Sequence, residues 1–373
     1  MTISVYTLGT TEADRWHEIL QWCDAYDVYH LPQYHKLVEK QDNSRAVFFV
    51  CQSGAMIVAM PMLLREIGEI PGLERSRYRD VTSVYGYAGP VFTSDLSDEL
   101  VRSFGRSLQD YLKSQNVVTA FSRLHPFYDQ AVCLEYLDGE IQSVGPTVAL
   151  DLTLPAQAQY QQYRGNLRRD IQKAKKQGVV CIHDTGWQYL DRFVDIYYQT
   201  MRRNCASDLY YFDREYFSEL HALLGDYLHL FVAVYEGTVL SGALFTVCNS
   251  IIQYHLAGTD IQHRDLASSK LILDTVRIWG KEIGASVFHL GGGVGSQRDS
   301  LFQFKAGFSK LTCQFRIWKM ITDQAAYLEL VERKEAWNQA HDLQAISADF
   351  FPAYRCPTRP ASQDTDERHS GQA

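Results

Sequence analysis

One order of apolar runs occurs twice in this chain, and that repetition limits the possible fold more than any single motif does. In the first pass, hydrophobic periodicity predicts a helix over residues 12–24 and a hairpin of strands 46–50 and 56–64 turning at Ser53-Gly54. A strand over 81–92, an amphipathic helix over 98–114 and a strand over 117–122 follow, and the pass closes near His125-Pro126. The second pass has helices over 190–203 and 214–224, then apolar runs at 228–235, 239–247 and 251–257. Glu236-Gly237 and Asn249-Ser250 join those runs tightly enough for a meander. A helix over 268–283, with Ser268 or Ser269 as its cap, leads to a strand over 286–290, a strand over 308–321 and a last helix from Asp323.

Such an order predicts an α/β (α+β) protein with mixed sheets flanked by helices, in two domains at 1–150 and 151–345. A chain of 373 residues is more naturally two domains than one. Residues 354–373 lose periodicity, turn polar and read as a disordered tail. A net charge of −8 argues against a protein that coats nucleic acid nonspecifically, while leaving room for a local basic face. The start has no basic leader followed by an apolar core, and no run reaches the roughly 18 apolar residues of a membrane span, so a cytoplasmic location is expected. The eight cysteines are scattered without a C-x-x-C pair, which supports neither a metal site nor a disulfide framework.

Chemistry concentrates after the strand at 286–290. Gly291, Gly292 and Gly293 lack a Cβ, so the backbone there can turn sharply and lie close to a ligand. Lys305 follows, between Phe304 and Phe308, where apolar neighbours can aim an ammonium at developing negative charge. No G-K-[ST] follows the glycines, which excludes a nucleotide-triphosphate loop. Arg164, Arg168, Arg169, Lys173, Lys175 and Lys176 form a basic cluster on a helix opening the second domain, the best electrostatic footprint for a nucleic acid in an acidic chain. No carboxylate or histidine stands out as a general base.

Helix, meander, helix and strand is the layout of the GNAT acyltransferase fold, here in tandem. In coenzyme-A-dependent members a [QR]-x-x-G-x-[GA] turn binds the pyrophosphate. The corresponding stretch here, Arg264 to Ser269, has Ala267 and Ser269 at the glycine-type positions, and Asp265 would repel a diphosphate. The chain resembles the Fem-type aminoacyltransferases, which build peptidoglycan bridges by moving an amino acid from aminoacyl-tRNA to an amine of a cell-wall precursor. The resemblance spans residues 1 to about 340. It rests on H-L-G-G-G at 289–293, F-K-A-G-F at 304–308, T-M-R-R at 200–203 and Y-H-L-A-G-T at 254–259. The long helical hairpin that larger members insert into the second domain has no counterpart here.

The resemblance implies that Lys305 polarises the ester carbonyl, with the Phe304 backbone at the same site. It implies that Lys36 and Arg203 hold an acceptor diphosphate, that Tyr211 and Tyr254 line that pocket, and that Arg168, Arg169, Lys173, Lys175 and Lys176 meet tRNA. Expected partners are aminoacyl-tRNA and a sugar-nucleotide or lipid-linked envelope precursor of peptidoglycan or surface polysaccharide, met with possible peripheral membrane contact. No cofactor or metal is expected. Two alternatives stay open: an acyl-CoA-dependent N-acyltransferase acting on a nucleotide-linked amino sugar, and a non-catalytic precursor-binding protein.

Overall fold

The structure, a computed structural model, describes residues 4–8, 12–204, 206, 210–347 and 349–360. In chain order its elements are β1 (Ser4–Thr7), α1 (Glu12–Trp22), α2 (Pro32–Asp42), β2 (Arg45–Ser53), β3 (Met56–Glu66), β4 (Arg79–Thr82), β5 (Val91–Phe92), α3 (Asp98–Ser114), β6 (Val117–Leu124) and β7 (Glu140–Asp151). Then come α4 (Ala156–Gln161), α5 (Gly165–Lys176), β8 (Val180–His183), α6 (Leu190–Arg203), α7 (Arg214–Leu224), β9 (Leu228–Tyr235), β10 (Thr238–Cys248) and β11 (Ile251–Thr259). The chain closes with α8 (Ser268–Glu282), β12 (Val287–Gly291), α9 (Ser300–Lys305), β13 (Thr312–Ile321) and α10 (Gln324–Ala340). Two compact units share these elements: Met1–Asp24, Val38–Gln142 and Arg316–Ala373 form one, Ala25–Leu37 and Ser143–Phe315 the other. A single cut near residue 150 therefore does not describe the chain. Residues 25–37 and 143–150 belong with the second unit and 316–345 with the first.

The first unit has strands in the order β1-β2-β3-β4-β6-β13, with β5 beside β3. Antiparallel pairing prevails except between β4 and β6, which run parallel. The α3 helix forms because Leu100, Phe104, Leu108 and Leu112 make one apolar stripe, and the Ser97 hydroxyl accepts the Leu100 N–H at its start. That stripe packs on Phe49, Met60 and Ala120 of the sheet. The strand expected over 81–92 is interrupted. Gln130, fully buried, donates its amide to the carbonyls of Ala88 and Pro90, and Gly86 and Gly89 adopt positive φ, so residues 83–90 loop out between β4 and β5.

The expected tail is also corrected at its start. Tyr354 is fully buried, its hydroxyl donating to Asp80 Oδ2 at 3.2 Å, and Arg355 Nε reaches the same oxygen at 2.5 Å. Arg65 holds the other oxygen of Asp80 at 2.7 Å, so a buried carboxylate anchors residues 354 and 355. Residues 361–373 lie outside the described residues.

The second unit orders its strands β7-β12-β11-β10-β9-β8. The β9-β10-β11 meander turns at Glu236-Gly237 and Asn249-Ser250, all four at positive φ. Its core gathers Phe231, Phe245, Phe288 and Phe302 with Ile272 and Val276 of α8. On β11, Gly258 lets α6 approach; a Cβ there would stand 2.7 Å from the Tyr197 nitrogen. The cap of α8 is Ala267 in the left-handed region at φ +51, and Ser268 and Ser269 fall inside the first turn instead of capping it. Among the described residues no helix is long and apolar enough to cross a membrane.

Candidate active site

The second unit opens where β11 and β12 part. These neighbours are paired in parallel only over Ile251–Gln253 and Val287–His289; beyond that rung β11 continues to Thr259 while β12 ends at Gly291. A register irregularity opposite Leu244/Phe245 adds one residue to β11 at this point and re-aims the strand. Next to Tyr254 a narrow crevice runs between β10, β11 and α8, lined by Gly242, Ala243, Tyr254, Ala257, Gly258 and, from α8, Ser269 and Ile272. Tyr254 stacks on Phe245 at 5.5 Å, which fixes its ring at the mouth of the divergence.

Lys305 stands at that place. It ends α9, is 8 % exposed, donates to the Gly292 carbonyl at 2.6 Å, and lies 5.9 Å from the centre of the Tyr254 ring. Burial pushes its pKa down to about 8, while Asp299 pulls the other way. The glycines permit this geometry in different ways. Gly291 has φ +78, and a Cβ on Gly293 would fall 2.1 Å from the Gln297 carbonyl and 2.2 Å from Asp299 Oδ1. Asp299 caps α9 by accepting Phe302 N–H and also accepts Val294 N–H, so the tight loop and the helix that presents Lys305 are one construction. What the glycine run offers Lys305 is a carbonyl. At six residues α9 is too short to show a helical period, and its one local signal is the Asp299-Ser300 start. Phe304 packs edge-on against Phe308, and its carbonyl accepts Gly307 N–H.

Of the other expected residues, Tyr254 joins Lys305 directly. Arg203 is exposed at the end of α6 and donates to the Thr259 carbonyl at 3.2 Å. Tyr254 and Thr259 are both on β11, which puts Arg203 roughly 16 Å along the strand from Lys305 at ~3.3 Å per residue. Lys36 is exposed on α2 between buried His35 and Leu37, within the segment that belongs to this unit. Tyr211 is exposed; its neighbours are tied to α6, with Tyr197 and Tyr198 donating to the carbonyls of Tyr210 and Phe212.

The basic helix divides. Arg168, Arg169, Lys173 and Lys176 line one open groove of roughly 600 Å³ with Tyr160, Gln172 and Gln177. Lys175 is not among them: its ammonium turns onto buried Asp274 at 2.9 Å, which Arg277 also holds at 3.0 Å. Arg164, at the start of α5, donates to the carbonyl and side chain of Gln303 in α9, and its backbone N–H donates to the Gly307 carbonyl. The groove is thereby joined to the helix of Lys305.

Two helices before a meander, a crossing helix and a diverging fifth strand define a GNAT-type fold, present here in tandem, and the chain is an enzyme of the acyl-transfer class. Residues 161–305 match the model of the acetyltransferase (GNAT) domain. A search of curated proteins by sequence finds no significant match. Among solved structures, FemX is similar at 14 % identity and a TM-score of 0.68, over 87 % of this chain and 99 % of that one. The C-terminal domain of a putative lysylphosphatidylglycerol synthetase from Agrobacterium fabrum follows at 14 % identity and a TM-score of 0.51, over 84 % and 92 %. A tandem GNAT protein from the clavulanic acid biosynthesis pathway is 10 % identical with a TM-score of 0.51, over 86 % and 99 %. At such identities these likenesses concern the fold.

Proposed function

We propose that this enzyme moves an aminoacyl group from aminoacyl-tRNA to an amine of a cell-wall or surface-polysaccharide precursor on the cytoplasmic side of the envelope. The observation behind this reading is the buried Lys305 ammonium at the β11/β12 divergence, coupled through Arg164 and Gln303 to a four-cation groove. The amine nitrogen attacks the ester carbonyl carbon, and the carbonyl oxygen becomes an oxyanion next to Lys305 Nζ. Collapse expels the ribose hydroxyl oxygen of the tRNA, which takes up the proton given by the amine. An ammonium in a dry site stabilises that oxyanion far more than water does. The groove cations would meet tRNA phosphates and so set register without reading bases. Arg203 and Lys36 would hold an acceptor's diphosphate away from the reacting carbon, in keeping with Arg203's place near Thr259. The reaction as written draws on no cofactor or metal.

A second reading, an acyl-CoA donor, draws on the start of α8, where Ala267 in the left-handed region leads into a 15-residue helix beside the crevice. The two separate in one assay: labelled aminoacyl-tRNA or labelled acetyl-CoA is incubated with envelope precursors and either wild type or Lys305→Ala. Transfer from tRNA that depends on Lys305 supports the proposal; transfer from acetyl-CoA alone replaces it with the second reading.

A further inference from the structure

The last paired rung before the strands part, Gln253 opposite His289, is also joined by its side chains. His289 Nδ1 lies 2.7 Å from Gln253 Oε1, and Gln253 Nε2 donates to Asp27 Oδ2 at 2.6 Å. All three residues are at most 2 % exposed. Asp27 comes from the segment of the N-terminal sequence that belongs to this unit. Its other oxygen accepts Val28 N–H at 2.6 Å, and Asn249 donates to the neighbouring Tyr26 carbonyl. The chemistry runs in one direction. Oδ2 of Asp27 accepts here, so the Gln253 amide nitrogen faces Asp27 and the amide oxygen faces the histidine. An oxygen there only accepts, so the His289 proton must reside on Nδ1. Two residues beyond His289 the chain enters the glycine turn, and the next carbonyl, Gly292, holds Lys305.

We propose that Asp27 and Gln253 are positioning residues for the transfer reaction: through His289, fixed as its Nδ1–H tautomer, they lock the final rung of β11 and β12 and so set where the strands part and where Lys305 stands. This rests on the reading of the second unit as the transferase. Small displacements at such a site are costly, since a shift of ~1 Å at the reacting groups can cost about 100-fold in rate.

The test uses the full chain labelled with 15N-histidine and a two-residue exchange. Asp27→Asn leaves one oxygen, which Val28 N–H claims, and turns an amide nitrogen toward Gln253; the Gln253 amide then flips, His289 moves toward the Nε2–H tautomer and kcat falls by about 10- to 100-fold, with KM for both substrates little changed. In Asp27→Asn combined with Gln253→Glu, the amide and carboxylate trade places. The amide introduced at position 27 donates to the carboxylate introduced at position 253, and that carboxylate accepts the His289 Nδ1–H. Both the tautomer and kcat then return toward wild type. A wild-type His289 protonated on Nε2, or an exchanged pair that folds without restoring tautomer and kcat, overturns the proposal. The tautomer is read without substrate, so absence of any transfer by wild type would count against the proposed reaction and leave the relay to the spectrum.

Discussion

Replacing Lys305 with Met should separate catalysis from stability in opposite directions. A fall of the lysine pKa from 10.5 to about 8 means that folding disfavours the ammonium by about 3 kcal/mol. The unfolded chain then holds the proton more tightly, so the penalty that Lys305 places on stability is full below pH 8, shrinks as pH climbs toward 10.5, and is gone above it. Met fills the same apolar space without that penalty. It strands the Gly292 carbonyl, at about 1–3 kcal/mol for a buried unpaired acceptor. The net expectation at pH 7 is no loss of stability, or a gain of up to about 2 kcal/mol, worth roughly 2–4 °C per kcal/mol in a unit of this size. The advantage disappears by about pH 10 and above. Transfer activity meanwhile drops by about 100- to 1,000-fold, the usual loss for one oxyanion contact. Thermal unfolding of both proteins between about pH 6.5 and 10.5, beside the transfer assay, reads both effects. A variant that melts well below wild type at pH 7 with an unchanged pH slope would refute the claim that burial strains this ammonium.

Two further outcomes follow from the corrected positions. Arg169→Ala, Lys173→Ala and Lys176→Ala should each weaken tRNA binding and lower the slope of log affinity against log salt by about 0.7–0.9, with stability unchanged; Lys175→Ala should leave that slope alone and cost about 1–3 kcal/mol in chemical denaturation, because it withdraws a partner from buried Asp274. A chain ending at residue 353 loses Tyr354 and Arg355 from buried Asp80 and should be less stable by about 3–5 kcal/mol, whereas one ending at 360 keeps both; equal melting of the two would mean that the Asp80 cluster contributes nothing.

Much of the second unit was legible because its elements announce themselves locally. The helices at α6 and α7 begin and end where periodicity predicted, and the meander turns coincide with residue pairs suited to positive φ. Lys305 could be singled out because a glycine run and an aromatic fence are adjacent in sequence. Less was visible where a partner lies far along the chain. Lys175 has the same composition and spacing as its basic neighbours, and only Asp274, 99 positions later, turns it inward. The interruption of the strand at 83–90 is imposed by Gln130, which lies 40 positions beyond Pro90.

Local sequence specifies the order and type of most elements, the tandem layout and the lysine at its centre, because periodicity, turn chemistry and capping act over a few residues. Tertiary structure decided which residues share a unit, that residues 25–37 complete the second one, that Tyr354 and Arg355 are anchored, and that Asp27, Gln253 and His289 meet beneath the parting strands. Those outcomes depend on buried polar groups finding partners up to hundreds of residues away. The requirement that each be satisfied is general, but its solution exists only once the chain has folded.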